Sequence, residues 1–158
     1  MWNTVVETLK SEFSDAPDAE RLTRIMTRLL LAALLGGLLG YERERQGKAA
    51  GLRTHMLVAM GAALFVLVPQ LDGMVSADLS RVIQGIVTGL GFLGAGAIVK
   101  HKSEEHVEGL TTAAGIWMTA AIGVACGLGR ESTALLSTAL ALAVLAVLPK
   151  LARRKGAD

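Results

Sequence analysis

Charged side chains crowd the stretch Glu42-Arg43-Glu44-Arg45-Gln46-Gly47-Lys48, which leads through Gly51 and Leu52 to Arg53-Thr54-His55. Carboxylates, guanidinium groups and an imidazole within 14 positions could do three kinds of chemistry. Arg53 could hold a carboxylate through two parallel N–H donors, which a lysine cannot reproduce. Glu42 and His55 are the only base and acid placed to serve a membrane enzyme, and no nucleophile accompanies them, so no catalytic residue is expected. Magnesium prefers one or two carboxylates plus water. The candidates, Glu42, Glu44, Glu104, Glu105 and Glu108, are peripheral, and His101 and His106 match no metal-site spacing. No metal site and no cofactor are expected.

The elements that must carry this belt are apolar. Uncharged runs cover residues 54–71, 82–99, 109–129 and 132–149, and a shorter one covers 29–41. At about 1.5 Å per residue, 18 residues span roughly 27 Å, close to one hydrocarbon core. In lipid every backbone polar group must be paired within its segment, so these runs are expected to be helices. Hydrophobic residues make up 52% of the 158 and mean hydropathy is +0.48, which places the chain in the membrane class. The expected fold is an all-α membrane protein, a bundle of about five transmembrane helices at residues 19–149. Run 29–41 needs Ile25 and Met26 to reach across.

Trp2, Val5, Val6, Leu9 and Phe13 share one face at helical spacing, which predicts an amphipathic N-terminal helix with Trp2 as interfacial anchor. With a hinge at Pro17 it makes up residues 1–18. A helix is expected to start near Asp18, with Arg21, Arg24 and Arg28 on one side, snorkelling to head groups. Pro69 and Pro149 are expected at helix ends. The opening residues are not a basic start followed by an apolar core, so no cleavable signal is expected.

With five spans, loops 42–53 and 100–108 share a side with the basic tail at 150–158. That side holds ten of the 16 Lys and Arg: Arg43, Arg45, Lys48, Arg53, Lys100, Lys102, Lys150, Arg153, Arg154 and Lys155. The positive-inside rule puts it in the cytoplasm and the N-terminus outside.

Sliding the sequence along itself by one fixed offset, without a gap, pairs Gly36 with Gly94, Gly51 with Gly109, Leu52 with Leu110 and Thr54 with Thr112. This reads as two duplicated hairpins plus one helix; chance matching of small apolar residues is the competing reading. Gly89, Gly91 and Gly94 spell GxGxxG, but no strand precedes them and apolar residues surround them, so no dinucleotide site is expected. Helix packing explains them better: Gly36, Gly89, Gly91, Gly94, Gly96 and Gly123 are expected to face other helices, and Gly40, Gly85 and Gly127 complete pairs spaced four apart. Cys126 is expected to be a small packing residue.

At the belt, a Glu42–Arg53 pair with Thr54 capping the second span is one expectation. A solvated head-group belt is the other.

Leu39-Gly40-Tyr41-Glu42-Arg43-Glu44 and Gly51-Leu52-Arg53-Thr54-His55-Met56-Leu57-Val58 resemble the MgtC/SapB family of bacterial inner-membrane proteins. So do Gly89-Leu90-Gly91-Phe92-Leu93-Gly94-Ala95-Gly96 and Gly109-Leu110-Thr111-Thr112-Ala113-Ala114 with Trp117. The resemblance implies about five membrane helices, adaptation to low magnesium and, in pathogens, survival inside host cells. It marks Glu42, Arg43, Arg53, Thr54 and His55 as a functional belt, and Gly109, Thr111, Thr112 and Trp117 as a second motif. The family's old label as an ATPase subunit finds no phosphate loop here. The acidic stretch at 104–108 departs from the more basic loop the family leads one to expect. The chain ends ten residues after Leu148, so no role of a C-terminal soluble domain carries over.

The expected function is non-enzymatic: modulating another membrane system through the helix faces and the belt. The alternative is a small oligomeric channel or transporter for Mg²⁺ or another ion. Expected partners are the bilayer and either another membrane protein or further copies of the chain, with no nucleic acid.

Overall fold

A computed structural model describes residues 1–12, 18–100 and 107–148. Phe13, Pro17, the loop at 101–106 and the tail lie outside the described residues.

Six helices follow in order: α1 (Trp2–Glu12), α2 (Ala19–Arg45), α3 (Leu52–Leu71), α4 (Ser76–Gly96), α5 (Leu110–Gly127) and α6 (Glu131–Leu142). The last continues into a π-helical turn at Ala143–Val147. Two two-residue strands, β1 (Val99–Lys100) and β2 (Val107–Glu108), pair antiparallel between α4 and α5. Helices α2, α3, α4 and α5 are each long and apolar enough to cross a membrane.

The short span is not where the sequence put it. α2 has 27 residues, because the apolar run 29–41 is extended by polar turns at both ends. Asp18 starts it, its side chain accepting from the Arg21 N–H at 2.8 Å, the usual service of an N-cap aspartate. The shorter apolar helix is Glu131–Val147. Pro69 lies inside the last turn of α3 rather than beyond it.

The core joins four helices. Ala32, Leu35 and Leu39 of α2 meet Ala59 and Ala63 of α3, Ile122 and Cys126 of α5, and Ala134 and Ala141 of α6. Small residues let the backbones approach, which is how helices gain dispersion contact where lipid offers no hydrophobic drive. A methyl group at Gly36 would come within 2.6 Å of the His55 carbonyl oxygen, and one at Gly123 within 2.2 Å of the Ala59 carbonyl oxygen. Gly40 and Gly127 are as tight, at 2.7 Å from the Leu52 Cα and 2.4 Å from the Ala63 carbonyl oxygen.

α4 is different, for it buries no residue. A Cβ at Gly89, Gly91 or Gly96 would meet nothing within 4 Å among the described residues, and at Gly94 only the Ala113 Cβ at 3.6 Å. The expected helix contact therefore holds for Gly36 and Gly123 and fails for Gly89, Gly91 and Gly96. Spacing alone cannot tell a glycine that admits a neighbour from one that faces open space.

The residues that the fixed offset pairs make parallel contacts. α3 and α5 both start one residue after the paired glycines, at Leu52 and Leu110. Gly36 packs on His55, and its repeat partner Gly94 packs on Ala113, the repeat partner of His55. Gly40 lies against Gly51, and their repeat partners Ile98 and Gly109 lie against each other in the same way. The two hairpins share a register, and the second is looser.

Candidate functional site

The belt is built at the junction of α2, α3 and the end of the π-helical turn. α2 runs on to Arg45, so Glu42 and Gln46 stand one turn apart, and Gln46 Nε2 donates to Glu42 Oε1. The chain then reverses at Gly47, whose φ of +67° suits glycine. Lys48 N–H bonds the Arg43 carbonyl at 3.0 Å and Gly47 N–H the Glu44 carbonyl at 2.9 Å, the two bonds of a Schellman C-cap.

That reversal brings Glu44 over the start of α3. Its Oε2 accepts from the Leu52 N–H at 2.8 Å. A carboxylate beside free N–H groups at a helix start is stabilising by about 0.3–1 kcal/mol. Gly51 leaves the room: a methyl group there would sit 2.6 Å from Glu44 Oε2. Thr54 is exposed and does not cap α3, which begins two residues earlier. An anion does occupy the helix start, but Glu44 supplies it rather than Glu42.

The expected Glu42–Arg53 pair is not formed. Arg53 is exposed, and Glu42 lies 3.6 Å from Arg43 Nη2. Arg43 is the inward arginine, only 2% exposed. Its Nη2 donates to the Leu145 carbonyl at 3.1 Å, and Gln46 Nε2 reaches the same oxygen at 3.2 Å. Arg43 was placed in the belt by the resemblance, but its inward turn was not foreseen, because a charge at a membrane boundary is ordinarily solvated. The one available signal was its place three residues after Gly40, on the helix face that packs.

His55 is fully buried. Its Nδ1 lies 3.0 Å from the Gly51 carbonyl, which only accepts, so Nδ1 is the donor of that bond. A methyl group at Gly115 would lie 3.6 Å from Nε2. Nε2 and Arg43 Nε have no hydrogen-bond partner among the described residues. Glu42 is engaged by Gln46 and Arg43, so the Glu42–His55 acid–base pair is not assembled. Among the described residues no three His, Cys, Asp or Glu side chains come together to hold a metal ion.

Arg28 does not snorkel. At the opposite end of the bundle its Nη1 donates to Gln70 Oε1 at 2.7 Å and to the Gly127 carbonyl at 2.8 Å, tying α2 to the ends of α3 and α5. In the second motif Thr112 is buried, Thr111 and Trp117 are exposed, and a methyl group at Gly109 would meet the Ala97 carbonyl oxygen at 2.0 Å. The two motifs thus start equivalent helices of the two hairpins.

The MgtC family model matches residues 29–154, most of the chain and all of both motifs. The chain belongs to the MgtC family. Its MgtC-family relatives include the protein SrpB of Synechococcus elongatus, 47% identical over 80% of this chain and 75% of that protein. The putative magnesium transporter YhiD of Escherichia coli K12 is 44% identical over 80% of this chain and 61% of its own length. The protein MgtC of Brucella abortus is 50% identical over 74% and 48%. The chain thus spans about half of that MgtC, and less than two thirds of YhiD. No solved structure matches it. With its spanning helices, this is a multi-pass membrane protein of MgtC type.

Proposed function

We propose that the chain is a non-enzymatic protein of the bacterial inner membrane that serves adaptation to low magnesium by modulating another membrane system. The observation that carries this reading is the chemistry of the buried polar groups. Among the described residues the buried polar side chains are Arg43 and His55 at the belt, beside Thr112, Thr119 and Thr138, and half-buried Arg28 holds the far end. Two guanidinium groups and an imidazole offer no carboxylate oxygen to Mg²⁺, which seeks carboxylates and water. Family membership and the similarity to YhiD, described as a putative magnesium transporter, support the magnesium link.

In this reading Arg43 and Glu44 fix the shape of the belt, and Arg53 and Thr54 present it to a membrane partner or to a second copy. The belt faces the cytoplasm, because ten of the 16 Lys and Arg lie on its side, and the N-terminus lies outside. The test joins two measurements. Purified protein in liposomes loaded with a Mg²⁺-sensitive dye should give no flux above empty liposomes; flux would establish the channel or transporter instead. Arg53→Lys should leave the membrane level unchanged and impair growth at low magnesium, since lysine loses bidentate recognition. Wild-type growth would remove Arg53 from the partner surface.

A further inference from the structure

His55 is enclosed where α2, α3 and α5 meet. α2 closes one side of it, where a Cβ at Gly40 would come within 3.0 Å of the His55 Cβ. Nδ1 is satisfied by the Gly51 carbonyl, whereas Nε2 has no hydrogen-bond partner among the described residues. A buried polar atom without a partner is costly, and native structures leave few of them.

Gly115 of α5 stands in front of Nε2. A methyl group there would lie 3.6 Å from Nε2 and, among the described residues, within 4 Å of no other atom outside its own stretch of α5. That is ordinary van der Waals distance, so packing does not forbid alanine, and alanine is the better helix former. Gly123 and Gly127 are glycine for another reason: their methyl groups would strike the α3 backbone at 2.2 and 2.4 Å. What Gly115 leaves is a notch beside Nε2.

The same face of α5 carries two buried hydroxyls. Thr112 and Thr119 stand three residues before Gly115 and four after it, the spacings that share a helix face. Thr119 donates to the Gly115 carbonyl at 2.9 Å, and Thr138 likewise bonds the carbonyl four residues back, the usual recourse of a threonine inside a helix. Thr112 lies in the first turn of α5, which begins at Leu110, so no carbonyl of the helix stands four residues behind it. Its hydroxyl makes no hydrogen bond among the described residues.

Water suits these two atoms. It both donates and accepts, so it serves Nε2 in either protonation state and the hydroxyl in either orientation. Mg²⁺ would find no carboxylate here, and an apolar group would leave both polar atoms unpaired. Buried waters characteristically bridge such groups.

We propose that one resident water sits in the Gly115 notch and hydrogen-bonds His55 Nε2 and the Thr112 hydroxyl, joining α3 to α5 at the belt.

The test uses the full chain in nanodiscs, irradiated in isotope-labelled water so that bound waters as well as bulk water yield hydroxyl radicals. Mass spectrometry should find heavy oxygen on His55 although it is enclosed, and none on Cys126, which is equally buried and more readily oxidised. Gly115→Ala should abolish the His55 label and lower the melting temperature by roughly 2 °C or more, because the methyl group displaces the water and strands both polar atoms. A dry notch gives the opposite sign: the alanine variant should melt roughly 2–4 °C higher through helix propensity alone. An unlabelled His55 in the wild type would overturn the proposal, as would a label that survives Gly115→Ala or a melting temperature that holds or rises in that variant. Should Gly115→Ala fail to accumulate, Thr112→Val removes the hydroxyl at nearly constant shape and should weaken the His55 label; an undiminished label would overturn the bridge.

Discussion

Arg43 and Leu145 stand 102 residues apart and are joined by one hydrogen bond, from Nη2 to the carbonyl oxygen at 3.1 Å. It closes the bundle by linking the end of α2 to the π-helical turn after α6. The π-helical turn shifts the carbonyl register, as such turns do when they aim a backbone group at a neighbour. Arg43→Met removes the donor while keeping an apolar stem of similar length. Gln46 still reaches the oxygen, so the loss should be about 1–3 kcal/mol, the range for a buried group losing a charged partner. Chemical denaturation in detergent measures it, and an unchanged midpoint would mean that Gln46 alone holds α6.

At the start of α3, Glu44 and Gly51 share one small space. Glu44→Ala should destabilise by about 0.5–2 kcal/mol through loss of the cap. Gly51→Ala pushes the same carboxylate away from the Leu52 N–H, so its effect is largely the same loss. The double variant should therefore cost clearly less than the sum of the singles, the signature of residues in contact. Additive effects in the double-mutant cycle would show that the Glu44 cap survives the methyl group.

Close helix contact should be the most sensitive feature of the fold. Gly123→Ala places a methyl group 2.2 Å from the Ala59 carbonyl oxygen, which is backbone and cannot swing aside. α3 and α5 must separate, at about 1–3 kcal/mol or more for the overpacking. Gly91→Ala adds the same methyl group where nothing among the described residues lies within 4 Å. Parallel melting curves should show a clear fall for the first and none for the second; equal falls would mean that α4 packs as tightly as α5.

Arg28 is the fastener at the opposite end. Arg28→Leu leaves Gln70 and the Gly127 carbonyl without their shared donor, and each hydrogen bond to a charged group is worth about 1.5–3 kcal/mol. Cysteine crosslinking between α2 and α5 at that end should become less efficient in the variant. Unchanged crosslinking would show that the core alone holds those ends together.

Helix count and the Asp18 start were legible because length, hydropathy and helix-start chemistry are local. The belt was legible as a place but not as a wiring diagram. Glu42, Glu44, Arg43 and Arg53 are interchangeable to pattern reading, since all lie near a membrane boundary. Which one turns inward depends on the rotation of α2 about its axis, fixed by Gly36 and Gly40 against α3. The same limit separates Gly36 and Gly123 from Gly89, Gly91 and Gly96. Arg28 was misread for a related reason: an arginine at a helix end snorkels by default, and only the nearby ends of α3 and α5 give it something better to bind.

The contact of Gly123 and Gly127 with Ala59 and Ala63 joins helices that are not consecutive. Biogenesis must therefore wait. At about 5–20 residues/s, the stretch from Ala59 to Gly127 takes roughly 3 to 14 s to emerge from the ribosome. Throughout that interval the notched face of α3 has entered the membrane without its α5 counterpart, and His55 has no α5 to cover it. The translation speed of the α4 segment thus sets how long a half-built bundle is exposed to membrane proteases.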